Sequence, residues 1–189
     1  ARMLGGADPR GVVFTSGATE ANNLALRGVV EAARRDPKRA RPHVVTSAVE
    51  HSSVLAPLRR MAARGEIALD EAPAPGGVVR VEDVAALLRP ETVLVSVQHA
   101  NNEVGTVQPA AAIGDLCAER GVLYHADLCQ SAGKVPLDVS KVDLASVSAH
   151  KLYGPTGVGA LYARPEVLAW LEPQTLGGGQ EGGRRAGTL

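Results

Sequence analysis

Aromatic side chains are scarce in this sequence: one Phe, one Trp and three Tyr among 189 residues. Proteins that hold single-stranded nucleic acid stack its bases on such rings. The richest basic stretch, Arg34-Arg35-Asp36-Pro37-Lys38-Arg39-Ala40-Arg41, contains none. It joins a helical pattern to a strand pattern and reads as a solvated connector, so no nucleic-acid partner is expected. An excess of one charge is also missing, with 20 Lys and Arg against 20 Asp and Glu, which removes any bias toward polyanions or anionic lipid. No apolar run approaches the ~20 residues of a bilayer span, and no signal-peptide pattern opens the chain, so no membrane association is expected. Cysteine is limited to Cys117 and Cys129, in neither a CxxC nor a zinc spacing. Two isolated thiols fit a reducing compartment, and the cytoplasm is the expectation. The histidines at 43, 51, 99, 125 and 150 show no HxxxH or HExxH spacing, so no metal site is expected.

What is present is a regular alternation. Apolar, β-branched runs at 11–15, 43–48, 67–71, 92–98, 122–126, 142–149 and 159–163 read as strands. Between them, 19–35, 52–64, 81–88 and 110–120 carry helical periodicity and helix stops such as Gly65, Pro90 and Gly121. Strands that are apolar throughout are buried on both faces. The predicted fold is therefore α/β, a mostly parallel central sheet with helices on both faces. The length suits one domain over 1–189. Both ends read as cut: Ala1 to Gly6 looks like the tail of a helix, and the chain closes on Gly187-Thr188-Leu189 after a glycine-rich run.

In open α/β sheets ligands bind beyond the carboxyl ends of the strands, and these ends carry the chemistry. Ser148-Ala149-His150-Lys151 follows a buried run and precedes Gly154-Pro155. A desolvated lysine is a neutral amine and a nucleophile toward an aldehyde, so Lys151 is the candidate to carry pyridoxal phosphate as a Schiff base. The first strand ends in Thr15-Ser16-Gly17-Ala18-Thr19, where hydroxyls and free helix amides suit a phosphate; a helix cap by Ser16 or Thr19 fits as well. Glu50-His51 places an imidazole that can stack on a ring or move a proton, or simply bond at a helix start. Asn101-Asn102 can hold a substituent or form a turn. Asp127 can pair with a pyridinium nitrogen and make the ring an electron sink, or cap a helix, and Gln130 follows three residues on. Each modest alternative stands alone; their arrival at one sheet edge favours the cofactor.

Together these stretches resemble the cysteine desulfurases of the class V aminotransferase branch of fold type I PLP enzymes. The resemblance rests on Thr15 to Asn23, Glu50-His51, Asn101 to Gly105, His125-Ala126-Asp127 with Gln130, Ser148 to Pro155, Gly177 to Glu181 and Arg185 to Thr188. It implies that Lys151 bonds the cofactor and moves the substrate Cα proton, and that Asp127 pairs with the ring nitrogen. Gln130 would bond the ring hydroxyl, His51 stack on the ring as an acid–base group, and Asn102 lie beside the cofactor. Ala18, Thr19, Ser148 and His150 would hold the phosphate, and Thr188 would reach the phosphate of the neighbouring subunit in a homodimer. The implied reaction takes L-cysteine to L-alanine and passes sulfur as a persulfide to an enzyme cysteine, then to an acceptor such as an iron–sulfur scaffold protein. The resemblance places that cysteine and the carboxylate-binding arginine beyond Leu189, with a C-terminal small domain, so this stretch alone is expected to be inactive. Selenocysteine lyase, another class V aminotransferase or lyase, and a non-catalytic domain are the alternatives. One departure is Leu128, bulkier than the family's usual residue and expected to crowd the site.

Overall fold

A computed structural model describes residues 4, 7–136 and 138–187. Seven strands form one sheet: β1 (Val12–Thr15), β2 (His43–Ser47), β3 (Ala68–Ala72), β4 (Thr92–Ser96), β5 (Leu123–Asp127), β6 (Leu144–Ser148) and β7 (Gly159–Ala163). Their spatial order is β1-β7-β6-β5-β4-β2-β3. Strands β3, β2, β4, β5 and β6 pair in parallel, while β7 runs antiparallel to both β6 and β1. The mostly parallel α/β sheet expected from the sequence is the fold, with β7 as its reversed member.

The alternation of side chains along each strand divides the interior into two cores. Val45, Val95 and Ala145 point to a core shared with Val84 of α3 (Val81–Leu87) and Ile113 and Cys117 of α4 (Ala110–Arg120). Their neighbours Val44, Leu94 and Leu144 point to the opposite core, shared with Leu24, Leu26 and Val30 of α1 (Ala18–Ala33) and Leu58 and Met61 of α2 (Ser52–Ala63). The short α5 (Pro165–Leu168) adds Val167 to that second core. Leu128 is fully buried in the first core. Its expected crowding of the site is overturned: the residue after Asp127 falls on the other side of the chain and packs inward.

The parallel strands deliver their carboxyl ends to one edge of the sheet, and two close approaches shape that edge. A methyl group on Gly159 would lie 2.6 Å from the Gly17 backbone and 2.7 Å from the Val147 carbonyl, so β7 can lie against the turn before α1 only as glycine. Tyr153, with φ of 63°, turns the chain after β6 in the left-handed region.

Candidate active site

A cavity of about 450 Å³ opens at this edge, within the range of small-molecule sites. Ala18, Thr19, His51, Asn102, Asp127, Gln130, Ser148, His150 and Lys151 all lie on its wall. They come from the ends of β1, β2, β4, β5 and β6, segments spread over more than a hundred residues. Thr188 lies outside the described residues.

At the first strand end, α1 starts at Gly17 with no side-chain cap. The Ser16 hydroxyl and amide instead donate to Glu20 Oε2 at 2.6 and 2.7 Å, and Arg185 donates to Glu20 Oε1 at 2.8 Å. Neither Ser16 nor Thr19 caps the helix, so its first amides are left for another acceptor.

His51 realises both of its readings. It is the N-cap of α2, its Nδ1 accepting from the Ser53 amide at 3.1 Å, and it lies on the cavity wall. That bond requires an unprotonated Nδ1, so the neutral ring carries its proton on Nε2. The turn before His51 is pinned by the end of β4: Gln98 Nε2 and Asn101 Nδ2 donate to the Val49 carbonyl at 2.5 and 3.0 Å. Asn101 Oδ1 also accepts from the amides of Glu103 and Val104 at 2.8 and 2.9 Å. Of the asparagine pair, Asn101 is thus the turn former and Asn102 faces the cavity.

Asp127 is buried at the end of β5. Its Oδ1 accepts from the Cys129 amide at 2.9 Å, closing a turn, while its Oδ2 accepts from Asn22 Nδ2 at 2.8 Å. Beneath it His125 bridges the Ser96 and Ser146 hydroxyls at 2.9 and 3.0 Å, and burial pushes its pKa down. At the end of β6, Ser148 Oγ and His150 Nδ1 lie 2.9 Å apart. Lys151 sits on the following turn and is exposed. The burial expected of its amine is therefore not supplied by this stretch.

Sequence reasoning missed several wall or supporting residues. Glu50 is buried, accepts from the Ser47 hydroxyl at 2.6 Å and the Gln98 amide at 2.8 Å, and has its pKa pushed up to about 8 by burial. Ser53 is buried on the cavity wall, and Asn22 is buried behind it. Asn22 stood out in one respect, as an amide on the apolar stripe of an otherwise amphipathic helix. Thr156 and Gly157 also line the cavity and carried no such signal.

The sequence profile of the family described as Aminotransferase class-V matches residues 1–183. The chain belongs to the class-V aminotransferase family. Cysteine desulfurase IscS of Proteus mirabilis strain HI4320 is 50% identical over 186 residues, covering 97% of this chain and 45% of that protein. The IscS of Escherichia coli O139:H28 is 47% identical over 188 residues, 98% of this chain and 46% of its own. Among solved structures, SspA in complex with cysteine superposes with a TM-score of 0.92 at 39% identity, over 100% of this chain and 54% of that one. DndA from Streptomyces lividans gives 0.90 at 43% identity, over 100% and 53%. The chain thus spans about half the length of these class-V relatives. The cofactor of this family is pyridoxal phosphate.

Proposed function

We propose that the protein containing this chain is a pyridoxal-phosphate-dependent cysteine desulfurase, and that residues 1–189 belong to its large cofactor-binding domain, with a small domain beyond them. The observation that carries the reading is the convergence of nine residues expected at the cofactor on one cavity wall. The wall also suits the group chemically. An uncapped helix start beside Thr19, Ser148 and His150 offers donors to a phosphate, and the glycine contact at Gly159 keeps that end narrow. Asp127 supplies an acid for the ring nitrogen, and Gln130 an amide for the ring hydroxyl. Bound there, the cofactor supplies an electron sink for the substrate carbon.

The chain's own residues then divide the work. Lys151 would hold the cofactor through its amine and could move the Cα proton of the substrate. His51, on the cavity wall, would face the ring and could exchange a proton through Nε2, its Nδ1 being committed to Ser53. Asn102 borders the ring. The substrate is L-cysteine, consistent with the bound amino acid named for SspA, and the product L-alanine. Sulfur leaves as a persulfide on a cysteine outside this stretch. Cys117 is buried in the core with its thiol pushed up to about 12, and burial and Asp127 push the Cys129 thiol higher still, so neither is a ready thiolate. The reading includes a cytoplasmic homodimer in which Thr188 reaches the partner's phosphate, and a sulfur acceptor such as an iron–sulfur scaffold protein.

The test uses the full-length protein. Pyridoxal phosphate should bind and develop the visible absorption of a cofactor bonded to a protein amine, and L-cysteine should yield alanine. Lys151→Ala should abolish both. Visible absorption that survives this substitution refutes the assignment of the lysine.

A further inference from the structure

Asn22 projects from α1 between two residues of the proposed site, and its side chain is fully buried. Its Nδ2 donates one hydrogen to Asp127 Oδ2 and the other to Ser53 Oγ, both at 2.8 Å. The orientation of the amide follows from chemistry: turned over, its oxygen would face a carboxyl oxygen. With the Ser53 oxygen already accepting from Asn22, its hydroxyl hydrogen is free to point at His51 Nδ1, 2.8 Å away. That nitrogen also accepts from the Ser53 amide and is therefore an acceptor. The bonds thus run in one direction, from Asn22 outward to Asp127 and, through Ser53, to His51. They span three elements: α1, the start of α2 and the end of β5.

We propose that Asn22 is a positioning residue that joins Asp127 to His51 through Ser53, so that the ring acid and the ring imidazole are set as one unit. The inference rests on the cofactor reading for the significance of the two groups, but the hydrogen-bond relay itself belongs to the protein alone. Both hydrogens of Nδ2 are used, so the carboxamide cannot follow one group without pulling on the other. In a buried setting such chains are coupled more strongly than isolated surface bonds.

A double-mutant cycle in the full-length apo-protein tests the relay. Histidine is labelled with nitrogen-15, and the His51 Nδ1 resonance is read at one fixed pH. Asp127→Ala should displace that resonance in the native background. In the Asn22→Leu or Ser53→Ala background the same substitution should leave it unmoved. Ser53→Ala keeps the backbone amide and suits a helix start, so it preserves the test if Asn22→Leu does not fold. Asn22→Leu should also weaken pyridoxal phosphate binding about tenfold, the loss of one hydrogen bond to an acid.

A displacement of equal size in all three backgrounds would mean that Asp127 acts on His51 directly, and would overturn the relay; so would no displacement in the native one. The two readings fail separately. If Lys151→Ala and Asp127→Ala leave cofactor binding untouched, the cofactor reading falls whatever the resonances do. If those substitutions abolish binding but the resonances show no coupling, only the relay falls.

Discussion

Glu50 shows at the scale of one residue how the site loads the fold. Burial raises its pKa from 4.5 to about 8, against the opposing pull of the Ser47 and Gln98 donors. A folded-state value above the unfolded one means that the native protein holds a proton which the unfolded chain releases. The stabilising contribution is therefore complete below pH 4.5 and is lost as pH rises through about 8. His125 acts in the opposite sense lower down: burial pushes it below 6.5, so unfolding takes up a proton in acid and stability rises toward 6.5. Glu50→Gln should flatten the fall of stability that runs from pH 4.5 to about 8, of which the alkaline limb from neutrality to pH 9 is about 1 kcal/mol. Urea unfolding of the full-length protein at a series of pH values reads this directly, and an unchanged alkaline limb would remove Glu50 as its source. Little of this was legible in the sequence. Glu50 stood in Val-Glu-His as a polar residue at a strand end, and nothing local shows that the Gln98 amide, 48 positions away, would donate to it in the interior. The chemistry-bearing residues were easier to find, because a lysine, an aspartate and a histidine at the ends of apolar runs contrast with their surroundings. Their alternatives as caps and turn formers also proved real for His51 and Asn101, whereas Asp127 closes a turn on the Cys129 amide with no helix to cap.

Elements were read mainly from periodicity, and the continuous apolar strands gave the sheet and its two faces. Periodicity carries no direction, which is why β7 looked like its parallel neighbours. Its reversal follows from the connection instead: residues 149–158 between β6 and β7 hold a tight turn and Gly154-Pro155, with no helix to cross the sheet. Two glycines test how these elements are joined. Gly159→Ala places a methyl group against the Gly17 backbone, so β7 and the start of α1 must part. A loss of about 1–3 kcal/mol is expected, together with weaker pyridoxal phosphate binding, because the displaced turn is the proposed phosphate end of the cavity. Gly121 ends α4 at φ of 63° with open space around it. Gly121→Ala should cost only about 1 kcal/mol, through backbone conformation, and leave cofactor binding as it was. Calorimetry with a binding titration separates the two; equal effects on binding would detach β7 from the site.

For the whole molecule, exposed apolar side chains mark where this stretch expects company. Val104, Leu176 and Tyr153 are 64%, 81% and 102% exposed, and the chain spans about half of its relatives. Expressed by itself it should self-associate at concentrations where the full-length protein sediments as a single species; a well-behaved monomer would show that these surfaces need no cover. Of Lys38, Lys134, Lys141 and Lys151, Lys151 is the one proposed to bond the cofactor. Full-length protein loaded with pyridoxal phosphate, reduced with borohydride and digested, locates it by mass spectrometry. The reduced cofactor is expected on the peptide containing Lys151; a cofactor fixed on another lysine, or on none, would refute the assignment.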